Sequence, residues 1–66
     1  MPEELAVWVR VRRAQDSCYG PWGCLTTGKL TISLLDRART YIANKAHPGD
    51  SWSIWVGKKG EKPYGG

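Results

Sequence analysis

The sequence predicts a small α+β domain whose elements follow the order strand, strand, helix, strand. Three observations support this order: side chains alternate from Leu5 to Arg13, an apolar stripe at helical spacing runs from Leu34 to Ala46, and a short alternating segment covers residues 51–56. A chain of 66 residues forms one domain, and a single helix covers only one face of its sheet. We therefore expect a three-stranded antiparallel sheet with one uncovered face.

The first strand is predicted from Leu5 to Ala14, and its two faces differ in chemistry. Successive side chains of a strand point to opposite faces of the sheet. The inward set is Leu5, Val7, Val9 and Val11, and the outward set is Trp8, Arg10 and Arg12. A strand that buries its valines therefore presents a tryptophan and two guanidinium groups on its other face.

Residues 15–23 are predicted to form a loop, because Gly, Pro and Asp within this segment interrupt strand pairing. The loop is longer than a tight hairpin needs, and it carries Tyr19 and Trp22 near its tip. Two interpretations stay open, since these rings either contact a partner or fold back over one end of the sheet.

The second strand is predicted from Cys24 to Ile32. Its pattern assigns Cys24, Gly28, Leu30 and Ile32 to the core face and Thr27, Lys29 and Thr31 to the outward face. Glycine weakens regular pairing, so Gly28 predicts a bulge or kink in the middle of this strand.

The helix is predicted to open at Ser33, whose side-chain oxygen suits a helix N-cap. Asp36 is placed in the first turn and Lys45 in the last, where the helix dipole favours their charges. The apolar stripe comprises Leu34, Leu35, Ala38, Tyr41, Ile42 and Ala46. Pro48 and Gly49 follow and predict the end of the helix.

The third strand is predicted from Ser51 to Val56, with Trp52, Ile54 and Val56 inward and Ser53 and Trp55 outward. A helix that returns from the second strand brings the third beside the first, so we expect the spatial order 2-1-3. The domain is assigned to residues 1–57. Residues 58–66 have little apolar content and are predicted to form a flexible basic tail.

The uncovered face of this sheet is the predicted partner-binding site. Its candidate residues are Trp8, Arg10, Arg12, Lys29 and Trp55, together with Trp22 from the loop. Trp and Arg are frequent anchors of protein interfaces, so we interpret Trp8 and Trp55 as anchors and the basic residues as charge complements. Direct nucleic-acid binding through the same face is the alternative. A homodimer that closes two such faces, or packing of these side chains without any partner, also stays open.

Composition and charge narrow the class of protein. Ten Lys and Arg against six Asp and Glu leave a net charge of +4, which favours an anionic partner. The chain lacks an apolar run of about 20 residues, and its start is acidic, so we expect a cytoplasmic protein that does not insert into a membrane. In that compartment Cys18 and Cys24 are expected to be free thiols, with a disulfide as the alternative.

The sequence contains no catalytic, metal-binding or cofactor-binding signature. His47 is the only histidine, and its spacing from Cys18 and Cys24 differs from that of structural zinc sites. The glycines are scattered through turns and do not form a phosphate-binding loop. We therefore expect a protein that is not an enzyme and that uses no metal or cofactor.

Two resemblances extend this interpretation. In size and layout the chain is similar to small phage-encoded proteins that bind and inhibit host machinery, including polymerase inhibitors and anti-CRISPR proteins, which implies a role as an inhibitor. The terminal Gly65-Gly66 pair after a hairpin and a helix resembles ubiquitin-like and sulfur-carrier proteins, which implies that Gly66 is a conjugation or adenylation site. Those families, however, have further segments that bring the last strand parallel to the first, and the short connection 46–51 leaves no room for them.

Overall fold

The computed structural model describes residues 4–63 and contains three strands and one helix. The elements are β1 (Leu5–Arg12), β2 (Gly23–Gly28), α1 (Thr31–Lys45) and β3 (Ser51–Lys58). The sheet has the order β2-β1-β3, and both neighbouring pairs are antiparallel. The predicted α+β class, strand order and strand directions are confirmed. The antiparallel β1–β3 pair also differs from the parallel arrangement that the ubiquitin-like resemblance requires.

The core lies between β1 and α1. Val7 and Val9 of β1 and Leu34 and Ala38 of α1 are all buried. Residues packed around this cluster include Leu5, Leu25, Tyr41, Trp52 and Val56. The predicted apolar faces of the central strand and the helix therefore meet, although the helix packs mainly over β1 and β2 and less over β3.

The second strand differs from its prediction, because β2 ends at Gly28 and not at Ile32. Leu30 and Ile32 were expected in the core, but they are 69% and 84% exposed. Ile32 belongs to the helix, and a residue two positions from the buried Leu34 points to nearly the opposite side of a helix. The predicted strand pattern is therefore wrong after Gly28, because Thr31 and Ile32 already belong to the helix.

A bulge or kink was predicted at Gly28, but the register shift in β2 lies at Leu25. Val7 pairs with Thr26 whereas Trp8 pairs with Cys24, so Leu25 is the extra residue of a β-bulge. The bulge shifts the alternation and brings Leu25 against the core. Cys24, which was expected to face the core, is consequently in register with Trp8 and exposed.

The helix begins at Thr31, two residues before the predicted cap at Ser33. Leu30 occupies the N-cap in an extended conformation and makes no side-chain capping bond. The first turn contains no acidic residue, so Asp36 lies further along the helix than expected. Lys45 does lie in the last turn, as predicted.

The connection from α1 to β3 is a tight turn fastened to the end of β1. The Asp50 N–H donates to the His47 carbonyl at 3.1 Å, and Gly49 between them has φ +89°, which glycine adopts without strain. The Asp50 carboxylate accepts hydrogen bonds from Arg13, from the Ala14 N–H and from the His47 N–H. This carboxylate therefore sets where β3 starts relative to β1.

β3 is longer than the sequence predicts. β3 continues through Gly57 and Lys58, beyond the predicted end at Val56. A turn follows in which the Glu61 N–H donates to the Lys58 carbonyl at 3.0 Å, and Pro63 is then buried. The structured part thus extends into the predicted tail 58–66. Gly65 and Gly66 lie outside the described residues.

Candidate interaction surface

The sheet face opposite the helix carries most of the predicted site residues. Because Val7 and Val9 face the helix, Trp8, Arg10 and Arg12 lie on the other side of β1. Trp8 pairs with Trp55 of β3 and with Cys24 of β2, so one row crosses all three strands. Four of the six predicted residues, Trp8, Arg10, Arg12 and Trp55, therefore share one face.

The loop between β1 and β2 folds back onto this face. The guanidinium carbon of Arg10 lies 4.3 Å from the centroid of the Tyr19 ring and 4.7 Å from the centroid of the Trp22 ring. Arg10 is thus held by two cation–π contacts, which hold the loop to the sheet. Of the two interpretations of the loop, the structure shows the one in which its rings cover the sheet. We call Trp8, Arg10, Tyr19, Trp22 and Trp55 the aromatic face.

Arg12 is also engaged within the molecule. Its guanidinium donates to the Ser51 Oγ at 3.2 Å and to the Asp16 carbonyl at 3.2 Å. These bonds join the first residue of β3 to the start of the loop. The sequence pattern placed Arg12 on the correct face but did not reveal these acceptors, which come from residues distant in sequence or in a turn.

Trp55 lies over the end of the sheet. A Cβ atom added to Gly57 would collide with the indole ring of Trp55, so only glycine allows the ring to lie there. Gly57 pairs with Ala6, and Ala6 is buried although it belongs to the face without the helix. This face therefore has a small apolar layer of its own.

A recess of about 220 Å³ opens at the aromatic face. It is lined by Trp8, Trp22, Lys62 and Pro63. The indole N–H of Trp8 and the Nε–H of Arg10 are buried without an acceptor among residues 4–63, so ring packing here must offset the loss of their hydrogen bonds to water. Sequence reasoning missed Pro63, because a single proline in a polar segment carries no periodic signal.

Lys29 does not join the aromatic face. The last paired residue of β2 is Gly28, so Lys29 lies beyond the sheet, in the connection to the helix. There it lines a cleft with Leu30 and Ser33. The prediction that Lys29 shares the face of Trp8 is wrong, because it assumed a strand that continued to Ile32.

Other chemistry is sparse among the residues that the structure describes. Cys18 and Cys24 are free and exposed. Within residues 4–63, no group of three or more His, Cys, Asp or Glu side chains is placed to hold a metal ion. In the same range, no helix has the length and apolar character needed to cross a membrane.

Comparison of the chain with protein-family models, with curated protein sequences and with solved structures found no match.

Proposed function

We propose that this chain is a non-enzymatic binding protein that docks on a protein partner through the aromatic face. The observation that carries this proposal is the pairing of Trp8 with Trp55, together with the cation–π contacts of Arg10 with Tyr19 and Trp22. Trp, Tyr and Arg are the side chains that most often dominate binding energy at protein interfaces. The contacts among Arg10, Tyr19 and Trp22 restrict the rotamers of these side chains before binding, which lowers the entropy cost of association.

The contacts of the two arginines favour a protein partner over nucleic acid. A single-stranded nucleic acid needs exposed ring faces for base stacking and unengaged cations for phosphates. Here the Arg10 guanidinium already lies over the rings of Tyr19 and Trp22, and Arg12 donates to Ser51 and Asp16. Direct nucleic-acid binding is thus the alternative outcome of the test below.

The surroundings of the aromatic face indicate the chemistry of the partner. The net charge is +4, and Lys62 borders the recess beside Trp8. We expect an apolar pocket for an indole ring with acidic residues at its rim. By analogy of size and layout with phage-encoded inhibitors, we propose nucleic-acid-handling protein complexes as the partner class, within a cytoplasmic setting.

The test compares Trp55→Ala with Asn44→Ala, a change on the exposed surface of the helix. Partners captured by the wild-type protein are identified, purified and titrated with each variant. We expect Trp55→Ala to weaken binding by at least about tenfold and Asn44→Ala to leave it unchanged. Circular dichroism of each variant verifies that the fold is kept. Equal binding by Trp55→Ala would exclude the aromatic face.

A parallel titration uses a fluorescent single-stranded oligonucleotide at several salt concentrations, with Trp8→Ala for comparison. Phosphate contacts would make the logarithm of affinity fall steeply with the logarithm of salt concentration. We expect no saturable binding even at low salt. Saturable, salt-sensitive binding that Trp8→Ala weakens would instead establish nucleic acid as the ligand of this face.

A further inference from the structure

The outer edge of β3 is regular, and no other strand within residues 4–63 pairs with it. β3 pairs with β1 over eight residues without a register shift. Natural edge strands are usually blocked by charges, proline, a bulge or short length, because unpaired backbone groups recruit another strand. The other edge strand, β2, is shorter and contains a bulge. Residues 51–57 of β3 contain neither proline nor a charged side chain.

The hydrogen-bond pattern shows which backbone groups of β3 point outward. The Lys59 N–H donates to the Glu4 carbonyl at 2.9 Å, which places alternate residues of β3 from Gly57 back to Ser51 toward β1. Trp52, Ile54 and Val56 therefore direct their N–H and C=O groups away from β1, within the plane of the sheet and toward its outer edge.

At the next outward position, Lys58, both backbone groups already have hydrogen-bond partners. Its N–H donates to the Glu61 Oε1 at 3.0 Å, and its carbonyl accepts the Glu61 N–H. Among residues 4–63, by contrast, none bonds to the outward groups of Trp52, Ile54 and Val56. The open part of the edge is thus confined to these three residues.

We propose that this edge pairs with the β3 edge of a second copy, antiparallel and with Ile54 opposite Ile54 of that copy. In this register Trp52 lies opposite Val56 of the second copy, and the reverse holds by symmetry. Every outward N–H and C=O then finds a partner, and about six hydrogen bonds form. The interface is two-fold symmetric, so it closes as a dimer and does not propagate into a fibre.

The side chains fit the same register. Ile54 lies opposite the buried Val9 but is 38% exposed, because the helix lies mainly over the other two strands. Two Ile54 side chains would meet across the symmetry axis and remove this apolar surface from water. The stretch between Ser51 and Gly57 adds no direct contact between like charges, although the chain is basic overall.

The axis runs perpendicular to the sheet, so both helices lie on one side of the six-stranded sheet and both aromatic faces lie on the other. The dimer would therefore present two docking surfaces in the same direction. The pairing itself does not depend on the proposed function, since it uses backbone groups at the edge and not the aromatic face.

The first test uses sedimentation equilibrium over a range of concentrations. Wild-type protein is expected to shift from the monomer mass of 7.4 kDa toward twice that mass. Ile54→Lys and Ile54→Glu each place like charges opposite one another and are expected to weaken the dimer at least about tenfold. An equimolar mixture of the two variants should restore it, because opposite charges then meet. Ile32→Lys, on the exposed surface of the helix, is the matched control.

The second test needs no substitution and follows amide hydrogen exchange by NMR at several protein concentrations. The amides of Trp52, Ile54 and Val56 are expected to gain protection as concentration rises, whereas those of Ser53 and Trp55 are protected throughout by β1. A wild-type protein that stays monomeric at millimolar concentration would overturn the proposal. So would a mixture of the two variants that fails to associate, or protection that does not depend on concentration.

Discussion

A single carboxylate, that of Asp50, connects three parts of the chain. Its Oδ2 accepts from the Arg13 guanidinium at 2.6 Å and from the His47 N–H at 3.0 Å, and its Oδ1 accepts from the Ala14 N–H at 3.2 Å. Burial of the carboxylate by itself raises its pKa. The hydrogen bonds from His47, Arg13 and Ala14, together with the charge of Arg13, outweigh burial and hold the pKa below its ordinary value of 3.8.

The lowered pKa of Asp50 predicts how stability depends on pH. A carboxyl whose pKa is lower in the folded state stabilises the fold fully above its unfolded pKa, and this contribution is lost as the pH falls through the folded pKa. Asp50→Asn replaces one acceptor oxygen by a donor, so we expect the melting temperature at pH 7 to fall by roughly 5 °C. The difference from the wild-type protein should shrink as the pH falls through the lowered pKa of Asp50, because the wild-type carboxyl then becomes protonated as well.

Thermal unfolding between pH 2 and pH 7 measures this effect. Asp16→Asn is the matched control, because Asp16 is an exposed loop residue whose carbonyl, and not its carboxylate, accepts from Arg12. The control should follow the wild-type curve. A difference between Asp50→Asn and the wild-type protein that stays constant with pH would contradict the assigned role.

At the scale of one element, the N-terminus of α1 lacks a side-chain cap. Leu30 occupies the N-cap in extended geometry, but a leucine side chain cannot accept a hydrogen bond from the first-turn N–H groups. The side chain of Leu30 is also largely exposed, so it contributes little to the core. A substitution at position 30 can therefore raise the free energy of unfolding without a rearrangement of the core.

We predict that Leu30→Asp stabilises the protein. Aspartate accepts from a first-turn N–H and its charge favours the positive end of the helix dipole, so the gain should be about 0.5–2 kcal/mol. Urea unfolding monitored by circular dichroism measures the change. Leu30→Ala separates the effect of capping from the removal of an exposed leucine. If Leu30→Ala stabilises the protein as much as Leu30→Asp does, capping is not the cause.

At the scale of the whole molecule, the sheet is covered unequally on its two faces. The helix covers one face of the sheet. The side chains of the aromatic face, together with Pro63, cover part of the opposite face. Ala6 is buried on this second side and pairs with Gly57, over which the Trp55 ring lies. Pro63 is buried as well and lines the recess with Trp8 and Trp22, so the segment after β3 belongs to the packing of this side.

Truncation tests this role of the C-terminal segment. Deletion of residues 62–66 removes Pro63 and is expected to lower the free energy of unfolding by about 1–2 kcal/mol through lost apolar burial. Deletion of residues 64–66 is the control that keeps Lys62 and Pro63. Urea denaturation curves measure the difference between the two truncations. Equal stability of the two would show that Pro63 does not stabilise the fold.

The sequence by itself determined the number, order and pairing of the elements. Val7 and Val9 alternate with Trp8 and Arg10, and this local pattern sets which face of β1 is buried and which face carries the candidate site. The stripe through Leu34 likewise predicted the helix from local spacing alone. These features depend on periodicity, which needs no knowledge of distant contacts.

Only the tertiary structure decided how the elements end and what the site residues contact. The bulge at Leu25 depends on how β2 pairs with β1, and the exposure of Leu30 depends on where the helix begins. The two-residue alternation of side chains in the sequence predicts neither feature. The engagement of Arg10 by Tyr19 and Trp22 depends on the path of a loop. Alternation specifies the direction of a side chain, whereas its partners are set by groups that only the folded chain brings together.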